Sequence, residues 1–162
     1  MQGVRLMVVD VDGTLLTPDK VLTERAAQAV RDLRKARVEV ALTSGRPPRG
    51  LSMLIEPLGL TTPLAGFNGG MFVNPDLTII EQRTLPPEAA HAAVELIRRH
   101  GLDVWVYRDA DWYITDPKAP HVDREQHTVR FAPTVVPGLG DLLDKAVKIV
   151  GVSDDLAAVA RC

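Results

Sequence analysis

Two aspartates at the end of a short apolar run are the residues of this sequence best suited to chemistry. Asp10 and Asp12 follow the run Leu6–Val9, and Gly13 and Thr14 turn the chain immediately afterwards. An apolar, valine-rich run of this length predicts a buried β-strand. Because alternate residues of a strand face the same side, the two carboxylates leave its C-terminal end close together, where open α/β sheets bind ligands. Such a pair can divide the roles of nucleophile and general acid/base.

A second polar segment, Thr43-Ser44-Gly45-Arg46, follows the next apolar run. It offers a hydroxyl, small residues with accessible backbone N–H groups, and the start of a helix at Pro47. This combination suits a phosphate group. The alternative is that Thr43 or Ser44 only caps the helix that follows.

A third polar segment, Gly66 to Gly70, ends the next short strand and contains Asn68. Asn68 is a candidate substrate contact, but Asn68-Gly69 is also a standard hairpin turn pair, and the sequence leaves both interpretations open. Because all three segments lie at strand C-terminal ends, we expect them to converge on one crevice.

Residues 1–84 alternate strand and helix signals, which predicts a mostly parallel sheet. We expect strands at Val4–Val9, Val38–Leu42 and Leu64–Phe67, helices at Thr23–Arg37 and Pro47–Leu58, and a hairpin from Met71–Val73 and Leu77–Glu81.

Residues 85–162 show a second pattern that begins near two adjacent prolines. We expect a helix at Glu88–His100, strands at Asp103–Tyr107, Trp112–Thr115 and Lys145–Val152, an irregular stretch over 116–140, and a last helix capped by Ser153.

Composition excludes several classes of partner. The net charge of −2 gives no reason to expect nucleic acid or an anionic membrane. No apolar run approaches the roughly 20 residues that span a bilayer. The single cysteine, Cys162, excludes an internal disulfide framework, and a reducing cytoplasm is the expected location.

The stretch His121 to His127 alternates four metal-ligand side chains, which are His121, Asp123, Glu125 and His127. A strand would place all four on one face and could form a zinc or transition-metal site. The alternative, which we favour, is a solvated polar loop in a proline-rich region.

The three polar segments resemble those of haloacid dehalogenase-superfamily hydrolases, in particular Cof-type phosphatases with a C2 cap. The resemblance rests on Asp10-Val11-Asp12-Gly13-Thr14, on Thr43-Ser44-Gly45-Arg46, and on Gly66–Gly70. It implies an α/β fold, with the N-terminal part of a Rossmann-like core and its parallel sheet in residues 1–84. Residues 85–162 would form part of an α/β C2 cap, which in relatives covers the site and sets specificity.

The resemblance also implies a mechanism for hydrolysing small phosphorylated metabolites such as sugar phosphates. Asp10 would attack phosphorus, and Asp12 would protonate the leaving oxygen and then activate the water that hydrolyses the aspartyl-phosphate. Mg²⁺ would bind the Asp10 carboxylate and the Asp12 carbonyl. Phosphate or substrate contacts would come from Thr43, the N–H groups of Ser44 and Gly45, Arg46 and Asn68. A phosphomutase that uses the same acids is the related alternative.

Part of the family pattern is not identifiable. Relatives continue past the cap into a second half of the core, which supplies a lysine and an acidic Gly-Asp motif; Lys148 and Asp154-Asp155 are too close together to match. The sequence therefore also allows the expectation of a fragment truncated within the cap, catalytically incompetent but able to bind phosphate. A core lacking its remaining strands exposes an apolar strand edge, which predicts homodimerisation or pairing with a partner.

Overall fold

Strands and helices alternate along the first half of the chain, as the sequence predicts. The computed structural model describes residues 3–162 and has an α/β fold. Its first half contains β1 (Leu6–Asp10), α1 (Glu24–Lys35), β2 (Glu39–Thr43), α2 (Ser52–Leu58), β3 (Leu64–Gly66), β4 (Met71–Val73) and β5 (Ile79–Gln82). The chain divides into two compact units between Glu81 and Gln82.

The sheet of the first unit has the strand order β1-β2-β3-β4-β5. β1, β2 and β3 run parallel, and β4 returns antiparallel to β3. The parallel register pairs Asp10 with Thr43 and Thr43 with Ala65. The C-terminal ends of β1, β2 and β3 therefore lie side by side.

The first strand differs from its prediction. β1 begins at Leu6 rather than Val4 and is not a buried strand: Leu6, Met7 and Val8 are exposed, Val8 to 59%. Within the described residues β1 is an edge strand, with β2 as its one neighbour in the sheet. An apolar pattern predicts a strand, but it does not tell which face of the strand is buried, because burial depends on the other elements that pack against that face.

The helices of the first unit begin and end where their terminal residues allow. The Thr23 side chain accepts the Ala26 N–H and caps α1, which buries Ala27 and Val30. The predicted second helix starts as a 3₁₀ turn over Pro48–Leu51 before α2 continues it, and Gly59 ends α2 in the left-handed conformation.

The second unit is built on a four-stranded sheet with the order β8-β7-β6-β9. Its elements are α3 (Pro87–Arg99), β6 (Asp103–Arg108), β7 (Asp111–Ile114), α4 (Val122–Val129), β8 (Thr134–Val135), α5 (Gly140–Leu143), β9 (Ala146–Val152) and α6 (Leu156–Arg161). Ala90, Val94 and Ile97 of α3 pack with Val104 and Val106 of β6 in its core.

The stretch 116–140 is more ordered than its proline and glycine content predicts. It contains α4, β8 and the start of α5, because spaced apolar residues, Val122, Val129 and Leu139, are buried there. At the last helix, Asp155 rather than Ser153 is the cap, and its carboxylate accepts the N–H groups of Ala157 and Ala158.

The candidate metal stretch His121 to His127 is helical rather than extended, so alternate side chains do not share a face. Across residues 3–162 there is no group of three histidine, cysteine, aspartate or glutamate side chains placed to hold a metal ion. His121 instead pairs with Asp154 at 3.0 Å. Within the same range, no helix is both long and apolar enough to cross a membrane.

Candidate active site

Asp10 lies at the end of β1, beside Thr43 in the parallel register. Its carboxylate is exposed, and within residues 3–162 the hydroxyl of Thr14 is its one hydrogen-bond donor, at 3.3 Å from Oδ2. Gly13 takes a φ of +82°, which lets the chain turn directly after the two aspartates. An exposed, lightly hydrogen-bonded carboxylate beside a threonine is suited to nucleophilic attack or to a cation.

The Asp12 carboxylate is held in a different way, by two cations. The guanidinium of Arg46 contacts it side-on, with Nε 2.7 Å from Oδ2 and Nη2 2.8 Å from Oδ1. The Lys20 ammonium donates to Oδ1 at 2.8 Å. The hydrogen bond from Arg46 is the largest cause that lowers the pKa of Asp12 to about 2, against the opposing effect of partial burial, and Lys20 lowers the pKa further. Asp12 is therefore ionised at neutral pH.

The Arg46 side chain is fixed and only 2% exposed. Its Nη1 donates to the Gly50 carbonyl at 3.3 Å and lies 3.8 Å from the Met53 sulfur. A buried guanidinium needs a charge partner, and Asp12 supplies it. In the structure the Arg46 guanidinium therefore contacts Asp12. The contact between Arg46 and a phosphate stays a prediction.

Ser44 is buried, and its hydrogen bonds stabilise the conformation of the loop after β2. Its N–H donates to the Ala65 carbonyl at 2.9 Å, and its hydroxyl accepts the N–H of Arg46 at 3.2 Å. The Ser44 N–H that was predicted to hold a phosphoryl oxygen is committed to the sheet in this structure. The phosphate contacts predicted for the Thr43 hydroxyl and the Gly45 N–H stay predictions.

The third segment is tied to the second by two backbone hydrogen bonds. The N–H groups of Phe67 and Asn68 donate to the carbonyls of Arg46 and Ser44, at 2.9 and 2.8 Å. Both donors have left-handed backbones, with φ of 53° and 56°. The Asn68 side chain lies over Gly45, where its Oδ1 would be 3.4 Å from an added Cβ. Asn68 thus belongs to the β3–β4 hairpin and also lies beside the candidate phosphate loop.

The structure therefore brings together all seven residues that the sequence assigned to a phosphatase site and adds an eighth, Lys20. Lys20 was missed because it stands outside every motif, in a polar loop with no periodic signal. Its position eight residues after Asp12 carries no geometric meaning until the loop is folded.

The donor set can be tested for its fit to a divalent metal. Mg²⁺ usually binds one or two carboxylates and completes its shell with water and substrate phosphate. Asp10 meets this requirement, because its exposed carboxylate is not engaged by a cation within residues 3–162. Asp12 would contribute its backbone carbonyl, since both of its carboxylate oxygens already face cations. The residues present fit a magnesium ion.

Comparison with known families gives a match over nearly the whole chain. A family model described as haloacid dehalogenase-like hydrolase matches residues 7–162.

Curated relatives match parts of the chain. A 5-amino-6-(5-phospho-D-ribitylamino)uracil phosphatase of Bacillus subtilis is 37% identical over 70 residues, which cover 43% of this chain and 26% of that protein. A pyridoxal phosphate phosphatase of Escherichia coli is 28% identical over 130 residues, covering 80% of this chain and 47% of that protein. The chain thus spans less than half the length of either relative.

Among solved structures, a haloacid dehalogenase-like hydrolase from Bacteroides thetaiotaomicron superposes with a TM-score of 0.84 at 23% identity. The superposition covers 98% of this chain and 61% of that chain. The predicted α/β fold is confirmed by this likeness.

Proposed function

The chain belongs to the haloacid dehalogenase-like hydrolase family, and we propose that it supplies the site of a magnesium-dependent phosphatase for small phosphorylated metabolites such as sugar phosphates. The observation that carries this proposal is the convergence of Asp10, Asp12 and the 43–46 segment at the ends of β1 and β2. The curated relatives, which are phosphatases of 5-amino-6-(5-phospho-D-ribitylamino)uracil and of pyridoxal phosphate, support the substrate class.

Asp10 is the proposed nucleophile. One of its carboxylate oxygens forms a bond to phosphorus while the bond from phosphorus to the leaving oxygen breaks, giving an aspartyl-phosphate. Its exposure and its single donor among residues 3–162, Thr14, support this role, because no ion pair within that range has to break before the oxygens reach a substrate. The neighbouring Thr43 is proposed to donate its hydroxyl to a phosphoryl oxygen, and its position beside Asp10 in the parallel register supports this role.

Asp12 is the proposed general acid and base. In the first step it passes a proton from solvent to the leaving oxygen, because the carboxylate itself is ionised before the reaction begins. In the second step it takes a proton from the water that attacks phosphorus, while the bond to Asp10 breaks. The lowered pKa of Asp12 favours its ionised form, which is the form that accepts a proton from this water.

A bound Mg²⁺ would neutralise charge on the transferring phosphoryl group. The residues that would hold it are the Asp10 carboxylate and the Asp12 carbonyl. Gly45 and Asn68 are neighbours, since a Cβ added at Gly45 would lie 3.4 Å from Asn68 Oδ1, and both are proposed to line the phosphate and substrate positions.

The test is phosphate release from p-nitrophenyl phosphate and from a panel of sugar phosphates, in MgCl₂. We expect Asp10→Asn to abolish turnover and Asp32→Asn, on the exposed face of α1, to leave it unchanged. Detection of the phosphorylated protein by intact mass in the wild type but not in Asp10→Asn would support the covalent step. Turnover that survives Asp10→Asn would contradict the proposal, and isomerised sugar phosphate without free phosphate would indicate a phosphomutase.

A second proposal concerns self-association. β1 is an edge strand in the described structure, and it exposes Leu6, Met7 and Val8 together. An open strand edge with apolar side chains is a template for pairing with another chain. We propose that two copies associate through β1.

A further inference from the structure

Lys20 lies in a hydrogen-bonded turn between β1 and α1. Its N–H donates to the Thr17 carbonyl at 2.9 Å, and the N–H of Thr17 donates to the Val21 carbonyl at 3.0 Å. An antiparallel bridge between Leu16 and Leu22 closes the turn. The turn therefore fixes where the Lys20 side chain starts.

The backbone of Lys20 is left-handed, with a φ of 60°. This conformation costs a residue with a Cβ about 1 kcal/mol, whereas glycine adopts it freely. Strained positions of this kind cluster at functional sites, where the side chain or backbone geometry is needed. At Lys20 the strain coincides with an ammonium group placed on Asp12.

The Lys20 ammonium is a second cation on a carboxylate that already has one. Arg46 contacts both oxygens of Asp12 and is also held by the Gly50 carbonyl, so it cannot leave. Lys20 contacts one oxygen, is 23% exposed, and carries its charge on a flexible stem. Of the two cations, Lys20 is the one that can turn toward an incoming anion.

The reach is short. A substrate oxygen that hydrogen bonds Asp12 Oδ1 at about 2.8 Å lies within roughly 5.6 Å of an ammonium bonded to the same oxygen. A phosphate monoester brings up to two negative charges next to the exposed Asp10 carboxylate. Because Asp12 already neutralises Arg46, the Lys20 ammonium would add to the positive charge that a bound Mg²⁺ would supply.

We propose that Lys20 is a phosphate-binding residue of this site, whose ammonium moves from Asp12 to the phosphate of the substrate. The proposal rests on the proposed function, because it takes the phosphate to lie beside Asp10 and Asp12. It assigns the substrate anion a contact from the loop after β1, in addition to those from the 43–46 segment.

The experiment is calorimetric titration of the full chain with inorganic phosphate in MgCl₂. Lys20→Gly removes the ammonium and relieves the left-handed strain. Arg37→Gly is the matched control, because Arg37 is also a cation with a φ of 62° but is exposed and lies two residues beyond α1. Lys20→Arg keeps the charge at the same backbone strain.

We expect Lys20→Gly to raise the Kd for phosphate about tenfold, the loss of one charge-assisted contact. Lys20→Arg should stay within about threefold of the wild type, and Arg37→Gly should not change the Kd. Urea unfolding should show no lower midpoint for Lys20→Gly, since the relieved strain offsets the lost ion pair.

Each result either supports or overturns the phosphate-binding role of Lys20. Equal phosphate affinity in Lys20→Gly and the wild type would overturn the inference and leave the proposed function intact. A wild type that binds no phosphate would overturn the proposed function and the inference with it. If Lys20→Gly lowers both the affinity and the midpoint, Lys20→Arg decides: restored affinity supports the contact, and lost affinity overturns it.

Discussion

Arg46 and Asp12, 34 positions apart in sequence, form a side-on ion pair with contacts of 2.7 and 2.8 Å. The pair joins the end of β1 to the loop after β2 and commits the buried guanidinium to one carboxylate. The ion pair also gives the two aspartates different chemical environments. Asp12 is engaged by cations, while Asp10, at the end of β1, is exposed.

Asp12→Asn should destabilise the protein, because it leaves the Arg46 charge buried without a partner. We expect a loss of about 2–3 kcal/mol in the free energy of unfolding by urea, below the fully buried case since Asp12 is 31% exposed. Asp10→Asn should change stability by less than about 0.5 kcal/mol. The double variant Asp12→Asn/Arg46→Met should cost less than the sum of the single variants. Strict additivity would contradict the coupling.

Acid should weaken the fold through the same carboxyl group. Its pKa is about 2 in the folded protein against 3.8 ordinarily. Because the folded pKa is the lower one, the stabilisation is complete above about pH 5 and is lost as the pH falls from about 4 to 2. The loss amounts to about 2 kcal/mol. Urea unfolding at pH 5.5 and 2.5 should show a smaller drop for Asp12→Asn than for the wild type, and parallel drops would refute the linkage.

Gly66→Ala should strain the connection between β3 and the 3₁₀ turn at Pro48. A Cβ at Gly66 would lie 2.7 Å from Pro48 Cδ and 2.9 Å from Cγ. A proline ring cannot rotate away, so we expect a loss of about 1–3 kcal/mol in the free energy of unfolding. Gly138→Ala is the control, because an added Cβ there meets nothing within 4 Å. Equal midpoints for the two variants would show that the close approach does not matter.

Val8→Lys should disrupt the proposed association through β1. Charged side chains on an edge strand block pairing with another chain, and Val8 is 59% exposed, so the fold itself should tolerate the change. Sedimentation velocity should show a dimer for the wild type and a monomer for Val8→Lys. Val135→Lys, on the exposed strand β8 of the second unit, is the control and should behave as the wild type. A monomeric wild type would end the proposal.

The sequence by itself determined most of the elements of the first unit and which polar segments follow its strands. Asp10, Asp12 and the Thr43–Arg46 segment follow apolar runs of strand length, and parallel strands end at one edge of a sheet, so their convergence follows from local pattern alone. The strong periodicity of α1 and α3 likewise located the helices within a few residues.

Only the tertiary structure decided which groups face each other. Three contacts depend on loops whose paths no periodic pattern encodes. Arg46 contacts Asp12, the Ser44 N–H donates to the Ala65 carbonyl, and Lys20 reaches Asp12. The exposure of β1 likewise depends on its place at the edge of the sheet, and α4 on the burial of Val122 and Val129. Side-chain partnership is a long-range property, because it is set by distances between segments that are remote in sequence.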